Sequence, residues 1–176
     1  LILFTFSLIH VLGLSQHSEK EVRDLINNAP EGQLVVEASR MLQEDYYYFS
    51  EILVDKLLTL KPESSNYNYR KGFIELYSRN DFEKAIQHLE KGKLSVDKNY
   101  DMYSAKEKSA PTDVYYHLGK AYHLDEQLDK AVENYNLFIA STRKGSVLVA
   151  QAKLGITQCE VAKKLIATPK SAKVKN

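Results

Sequence analysis

The fold is decided by residues 113–139, which read DVYYHLGKAYHLDEQLDKAVENYNLFI. Four of these side chains follow the i, i+3, i+4, i+7 spacing of a single helix stripe: Tyr115, Leu118, Gly119 and Tyr122. Ala131 and Tyr135 lie one turn apart on a second helix. Small residues at Gly119 and Ala131 allow two antiparallel helices to approach closely, and a bulky side chain there would overpack the crossing. The segment therefore predicts a helical hairpin.

The same pattern occurs at two earlier places in the chain. The second copy contains Tyr69, Gly72, Leu76, Ala85 and Leu89, and the first contains Leu34, Ala38, Met41, Ser50, Val54 and Leu57. In the second copy Phe73 stands at the position of the small residue and Gly72 precedes it, so we expect a local adjustment in how that helix pair packs. Repetition at this spacing is typical of helical arrays. It predicts repeats over about 31–64, 66–96 and 112–145.

Three further segments belong to this array. An insert, SVDKNYDMYSAKEKSAP at 95–111, separates the second and third repeats, and the sequence leaves open whether it is ordered. A fourth first-helix follows the third repeat, with Gln151, Leu154, Gly155 and Gln158 at the pattern positions. It predicts a capping helix over 146–165, because terminal repeats are usually atypical. A short helix over 18–27, with Ser18 as its N-cap, is expected at the other end. The expected fold is all-α.

The residues at these repeat positions resemble the repeat pattern of the tetratricopeptide-repeat superfamily across roughly residues 31–165. The resemblance implies a right-handed α-solenoid of about three helix hairpins plus capping helices, filling residues 16–165. It also implies that stacked hairpins leave a concave groove lined by the first helix of each pair, where such proteins hold another polypeptide.

A closer resemblance is to the amino-terminal region of large OmpA-family envelope proteins. It is carried by KEKSAPTDVYYHLGKAYHLDEQLDKAVENY and by GITQCEVAKKLIATPKSAKVKN. In that family a signal peptide precedes the repeats, and a propeller-like segment and a peptidoglycan-binding OmpA-like domain follow them. Some members are attached to the type IX secretion and gliding machinery. The resemblance implies that any peptidoglycan binding would reside in such later domains and not in residues 1–176.

The two ends of the sequence carry separate expectations. Residues 1–14 are apolar apart from Thr5, Ser7 and His10 and carry no Asp, Glu, Lys or Arg, and Gly13 and Ser15 match the small residues of a signal-peptide cleavage site. We therefore expect 1–15 to be the remainder of a signal peptide; a buried first helix is the alternative. Residues 166–176 are expected to form a basic linker toward a further domain. Its lysines favour a solvated segment over a contact with anionic lipid or nucleic acid.

Composition argues against catalysis and against nucleic-acid binding. The 24 basic and 23 acidic residues leave a net charge of +1, whereas a nucleic-acid binder usually shows a clear basic excess. The sequence lacks the metal, phosphate and nucleophile motifs, and His117 and His123 are spaced to face different sides of their helix. A single cysteine, Cys159, favours a buried structural thiol over a nucleophile. We expect no enzyme activity, no cofactor and no metal site.

The expected partner-binding groove follows from the repeat register. Its central residues are Tyr67, Arg70, Ile74, Tyr77, Tyr116, Lys120 and His123, flanked by Val35, Ser39 and Leu42 and by Ala152, Ile156 and Cys159 of the cap helix. Tyrosine and arginine are common anchors of protein interfaces. The alternative is that these tyrosines only pack against neighbouring helices. Val35 and Ser39 stand where a clamp for carboxylate-terminated peptides needs Lys and Asn, which disfavours that ligand.

The sequence thus predicts a non-catalytic protein–protein interaction scaffold. The resemblance implies export to the periplasm and association with the outer membrane through further domains, possible attachment to type IX secretion or gliding machinery, and a protein or peptide partner. Two alternatives stay open. One is a free-standing periplasmic adaptor or assembly factor, and the other is a structural spacer for a peptidoglycan-anchoring domain.

Overall fold

The computed structural model describes residues 19–142 and 146–168, and the regular secondary structure of this part of the chain is helical. It forms eight α-helices and a π-helical turn, and within it there is no β-strand beyond an isolated bridge between Val96 and Ala110. The predicted all-α class is confirmed. The predicted signal segment 1–15 and most of the predicted linker 166–176 lie outside the described residues.

The helices follow one another closely. Helix α1 covers residues 19–28, and the next three are α2 (Glu31–Gln43), α3 (Tyr47–Leu60) and α4 (Ser65–Ile74). Helix α4 runs directly into the π-helical turn Glu75–Arg79, which is followed by α5 (Phe82–Gly92). After the insert come α6 (Asp113–Leu124), α7 (Leu128–Ser141) and α8 (Val147–Ala167).

Consecutive helices pair along the chain. Helix α2 packs on α3, α4 on α5, and α6 on α7, while α3–α4, α5–α6 and α7–α8 contacts join one pair to the next. The turn inside each pair contains a non-glycine residue in the left-handed region: Asp45 (φ 61°), Asn80 (φ 54°) and Glu126 (φ 59°). In the first and third pairs the amide of the following residue closes the turn with a hydrogen bond. Tyr46 N donates to Met41 O at 2.8 Å, and Gln127 N donates to Tyr122 O at 2.9 Å. The pairs are therefore built on a common turn.

The π-helical turn supplies the local adjustment expected beside Gly72. Gly119 and Ala131 are 12 positions apart in the third pair, but Gly72 and Ala85 are 13 apart in the second. A π-helical turn accommodates an extra residue within a helix. Gly72 consequently keeps its place at the α4–α5 contact, where an added Cβ would lie 2.6 Å from Leu89 Cγ.

Tyr135 joins the last three helices. Its ring from α7 lies between Gly119 of α6 and Gly155 of α8, and a Cβ added at either glycine would come within 2.6 Å of a ring carbon. The small residue at 119 thus makes room for the Tyr135 ring. Of the ten residues expected to pack at repeat positions, eight are buried and two, Tyr69 and Tyr115, are partly buried.

The buried apolar side chains form two clusters. One joins α1 to α4 and contains Leu34, Val54 and Ile74; the other joins the π-helical turn to α8 and contains Leu76, Leu118 and Phe138. Helix α4 with its π-helical turn contributes to both. The boundary between the clusters is therefore the place where α4 and α6 face each other.

We expect Gly119→Ala to lower the free energy of unfolding by about 1–3 kcal/mol, because the new methyl group overlaps the Tyr135 ring. Alanine has the higher helix propensity, by up to about 1 kcal/mol, so destabilisation would be a packing effect. Urea unfolding of a double-mutant cycle with Tyr135→Leu measures it. The cost of Gly119→Ala should disappear in the Tyr135→Leu background, and additive costs would contradict the proposed contact.

Candidate functional site

The insert between α5 and α6 is an ordered loop. Its two ends are joined by hydrogen bonds from Ala110 N to Ser95 O (2.8 Å) and from Asp97 N to Ala110 O (2.9 Å). Its far side is held to the start of α4, where Asn66 Nδ2 donates to Glu107 O at 2.9 Å. Ala105 also approaches α2, 3.0 Å from where a Cβ on Gly32 would lie. The loop therefore covers the face formed by α2 and α4.

Arg70 is the centre of this covered face. Its guanidinium donates to Asn66 Oδ1, Val35 O and Ser39 Oγ within the helices, and to Tyr100 Oη and Met102 O of the insert. All five N–H groups of the side chain are used, and every acceptor is neutral. Arg70 is only 1% exposed. Its expected place on an open groove is corrected: it binds the insert instead.

Two further groove residues need the same correction. Tyr67 is 3% exposed and Ile74 is fully buried, because both pack into the cluster beneath α2. The Tyr67 hydroxyl hydrogen-bonds to Glu31 of α2, and burial together with this carboxylate raises the pKa of Tyr67. Val35 and Ser39 of α2 are buried as well, whereas Leu42 is partly exposed.

A partly exposed aromatic surface lies between α4 and α6, and Tyr77 is the one of its residues that was expected in the groove. We call it the aromatic face; it consists of Tyr69, Phe73, Tyr77 and His117. The Phe73 and Tyr77 ring centroids are 4.6 Å apart, and the His117 ring lies 5.1 Å from Phe73 and 6.0 Å from Tyr69. The three α4-side rings are partly exposed and His117 is buried beneath them. Aromatic side chains thus form a continuous surface across two helix pairs.

Lys120 and His117 determine the electrostatics at the Tyr77 end of the aromatic face. The Lys120 ammonium lies 4.3 Å from the Tyr77 ring centroid, a cation–π distance. The Tyr77 hydroxyl hydrogen-bonds with His117 Nδ1 at 2.9 Å. Burial, with a smaller contribution from nearby Lys120, lowers the pKa of His117 to about 3. His117 is therefore a neutral hydrogen-bonding partner at physiological pH.

The remaining groove residues sit nearer to α7 and α8. Tyr116 is also buried, at 8% exposure, so its expected place on an open groove is corrected as well; its hydroxyl donates to Gln151 Oε1 of α8 at 2.7 Å. His123 is partly exposed, and its ring centroid lies 6.4 Å from that of Tyr135. In α8, Ala152 and Cys159 are buried and Ile156 is partly buried. Burial raises the pKa of the Cys159 thiol, which disfavours the thiolate that a nucleophile requires.

A pocket opens at the Tyr69 end of the aromatic face. It has a volume of about 450 Å³ and is bordered by Leu42, Gln43, Tyr69, Arg70, Phe73, Tyr100, Met102, Pro111 and Asp113. Sequence analysis missed Phe73, Tyr100 and Asp113 as site residues. Phe73 looked like a misfit in the repeat, Tyr100 lies in the insert, and Asp113 is an ordinary acidic residue of a first helical turn. Helix α4, the insert and the start of α6 bring the three together.

The described residues define an all-helical protein of serially packed hairpins with a partly exposed aromatic face. Within the described part of the chain, no group of three or more His, Cys, Asp or Glu side chains could hold a metal ion. None of the helices described is long and apolar enough to cross a membrane. Neither a protein-family model nor a curated protein matches the sequence.

The contacts of Arg70 predict that it fastens the insert. Arg70→Met leaves the carbonyls of Val35 and Met102 without this donor, so we expect the free energy of unfolding to fall by about 1–3 kcal/mol. Trypsin should also cleave faster at the exposed insert residues Lys98, Lys106 and Lys108. Urea unfolding and timed proteolysis give the two readouts. Arg23→Met, at a side chain 71% exposed, is the control. Destabilisation with unchanged cleavage in the insert would contradict this role.

The lowered pKa of His117 predicts acid sensitivity. The unfolded chain takes up a proton at this side chain below about pH 6.5, while the folded chain does so only near pH 3. The free energy of unfolding should therefore fall as pH drops below 6.5, by up to about 1.4 kcal/mol per pH unit for this group.

His117→Gln should flatten that dependence between about pH 6.5 and 5, above the range where carboxylates titrate. Urea unfolding at several pH values measures it. His123→Gln is the comparison; its ring is partly exposed and should matter less. Parallel profiles for the wild type and His117→Gln would show that His117 is not the group responsible.

Proposed function

We propose that this protein is a non-catalytic scaffold that binds another protein on its aromatic face. The helix pairs would stack as a tetratricopeptide-type, right-handed α-solenoid. The repeated hairpin turns, the glycines at the helix contacts and the contacts of each pair with the next all support this arrangement.

The observation that carries the proposal is the composition of the aromatic face. Tyr69 and Phe73 of α4 and Tyr77 of the π-helical turn are large, partly exposed rings, and Lys120 lies beside Tyr77. Aromatic side chains with a polar end are enriched at the centres of protein interfaces, because they bury a large rigid area at a small entropic cost. Their position between two helix pairs suits an extended segment of a partner.

We further propose a cellular setting in the envelope of a bacterium. The apolar residues 1–14 and the resemblance to the repeat region of OmpA-family proteins support export and a periplasmic, outer-membrane-associated location, with type IX secretion or gliding machinery as one setting. A free-standing periplasmic adaptor would use the same face. A structural spacer would not use this face. Variants of the aromatic face therefore distinguish a binding scaffold from a spacer.

The test is capture from a solubilised envelope extract by the full 176-residue chain, compared with a Tyr77→Ala/Lys120→Ala variant. We expect at least one protein to be retained by the wild type and reduced about tenfold or more by the variant, because central interface residues dominate binding. Quantitative mass spectrometry of the retained proteins gives the measurement.

The matched control is Tyr48→Ala, which removes a tyrosine that is 58% exposed on α3. It should retain the same proteins as the wild type, and circular dichroism should show that both variants keep their helices. If every retained protein binds the Tyr77→Ala/Lys120→Ala variant equally well, the aromatic face is not a docking surface and the spacer alternative is favoured.

A further inference from the structure

The pocket beside Asp113 combines three kinds of wall. The rings of Tyr69, Phe73 and Tyr100 line it, with Tyr69 and Tyr100 edge to face at 6.1 Å and Tyr69 and Phe73 at 6.5 Å. Apolar contact surface comes from Leu42, Met102 and Pro111. Asp113 contributes a carboxylate from the first turn of α6.

The carboxylate of Asp113 has no partner in the described part of the chain. Burial alone raises the pKa of Asp113, and no donor or cation in this region acts to lower it. The two buried glutamates of the described chain are ion-paired: Glu51 contacts Lys71 at 2.9 Å and also Arg79, and Glu75 contacts Lys71 at 3.4 Å. A partly desolvated carboxylate without an ion-pair partner is stabilised when a cation approaches it.

Arg70 also borders the pocket but does not serve as that cation. Its guanidinium points from α4 toward α2, where it donates to Val35 and Ser39, and its other donors are used by Asn66 and by the insert. Asp113 belongs to the opposite wall, on α6. The two charges therefore remain separate, and the Asp113 side of the pocket is the one that favours a positive ligand.

A cation at this position would also lie near aromatic rings, because Tyr69, Phe73 and Tyr100 border the same pocket. Ring faces attract ammonium and guanidinium groups, and the attraction is stronger where water is excluded. The protein contains a cation–π contact nearby, where the Lys120 ammonium lies over the Tyr77 ring. At Tyr77 the chain supplies its own cation, but at Asp113 the described residues supply none.

We propose that the Asp113 pocket binds the lysine or arginine side chain of a partner protein. The ammonium or guanidinium would pair with Asp113 and lie against the rings, and its methylene stem would pack on Leu42, Met102 and Pro111. A volume of about 450 Å³ is within the range of pockets that hold such groups. This inference rests on the proposed protein-binding function and adds the charge that the partner must carry.

The test uses small probes, so that no partner need be known. Nα-acetyl-arginine methylamide and Nα-acetyl-lysine methylamide are titrated into the full chain, and the aromatic ring signals of Tyr69, Phe73 and Tyr100 are followed by NMR. We expect saturable shifts with at least one probe, and about tenfold weaker binding of the neutral Nα-acetyl-norleucine methylamide.

Asp113→Asn should remove the preference for the charged probes, and Phe73→Leu should weaken their binding. Glu83→Gln is the matched control, because Glu83 is an exposed acid in the first turn of α5. Equal binding of the arginine, lysine and norleucine probes, charged-probe binding unaffected by Asp113→Asn, or no shift at all would overturn the proposal.

These outcomes are separate from those of the capture experiment. If proteins are still captured through Tyr77 and Lys120 while the charged probes fail, the basic-side-chain inference is wrong and the scaffold proposal stands. If the probes bind through Asp113 but no protein depends on Tyr77 and Lys120, the pocket recognises cations while the proposed docking surface fails.

Discussion

The packing of one tyrosine ring between two glycines is the constraint on which the rest of the structure depends. Tyr135 touches the surfaces of α6 and α8 at positions where no side chain fits, and thereby sets how closely both helices approach α7. Helix α6 carries Asp113, His117 and Lys120, so its placement determines one complete wall of the candidate site. The geometry of the site is thus a consequence of core packing at some distance from it, as expected for a closely packed interior.

The α4 wall of the candidate site depends on two contacts that α4 makes at the same time. Helix α4 must present Gly72 to Leu89 of α5 and also direct Arg70 toward α2, and the π-helical turn after Ile74 allows the following segment to join α5 in register. A network of charges then fixes α4 on α3, since Lys71 reaches Glu51 at 2.9 Å and Asp55 at 2.8 Å. Two helices held by independent contacts form a rigid support, which suits a binding face better than a mobile loop would.

The helix pairs could be predicted from the sequence because the residues that determine them are close together in the chain. Helical periodicity and small residues at fixed spacing identify Gly119, Ala131 and Tyr135 without any knowledge of tertiary structure. The place of the insert could not be predicted in this way, because backbone carbonyls such as Met102 O and Glu107 O hold it, and backbone atoms leave no mark in a sequence. Arginine is seldom fully buried, so the groove position of Arg70 suggested exposure. Whether a described residue pairs with Asp113 likewise depends on its neighbours in the folded chain, which the local sequence does not specify.

The insert gives the site its chemical character. Burying a guanidinium without a carboxylate is tolerable only if all its donors are satisfied, and Tyr100 and Met102 provide two of the five acceptors that Arg70 needs. The same two residues form a wall of the pocket beside Asp113. Without the insert, Arg70 would face an open surface between α2 and α4, and its charge would favour anionic ligands there. With the insert in place, Arg70 is covered and engaged by neutral acceptors, while the carboxylate of Asp113 on α6 has no partner among the described residues. The loop that interrupts the repeat pattern therefore covers the charge of Arg70 at the α2–α4 face, and the proposed site for a basic side chain lies at Asp113, on the α6 side of the pocket.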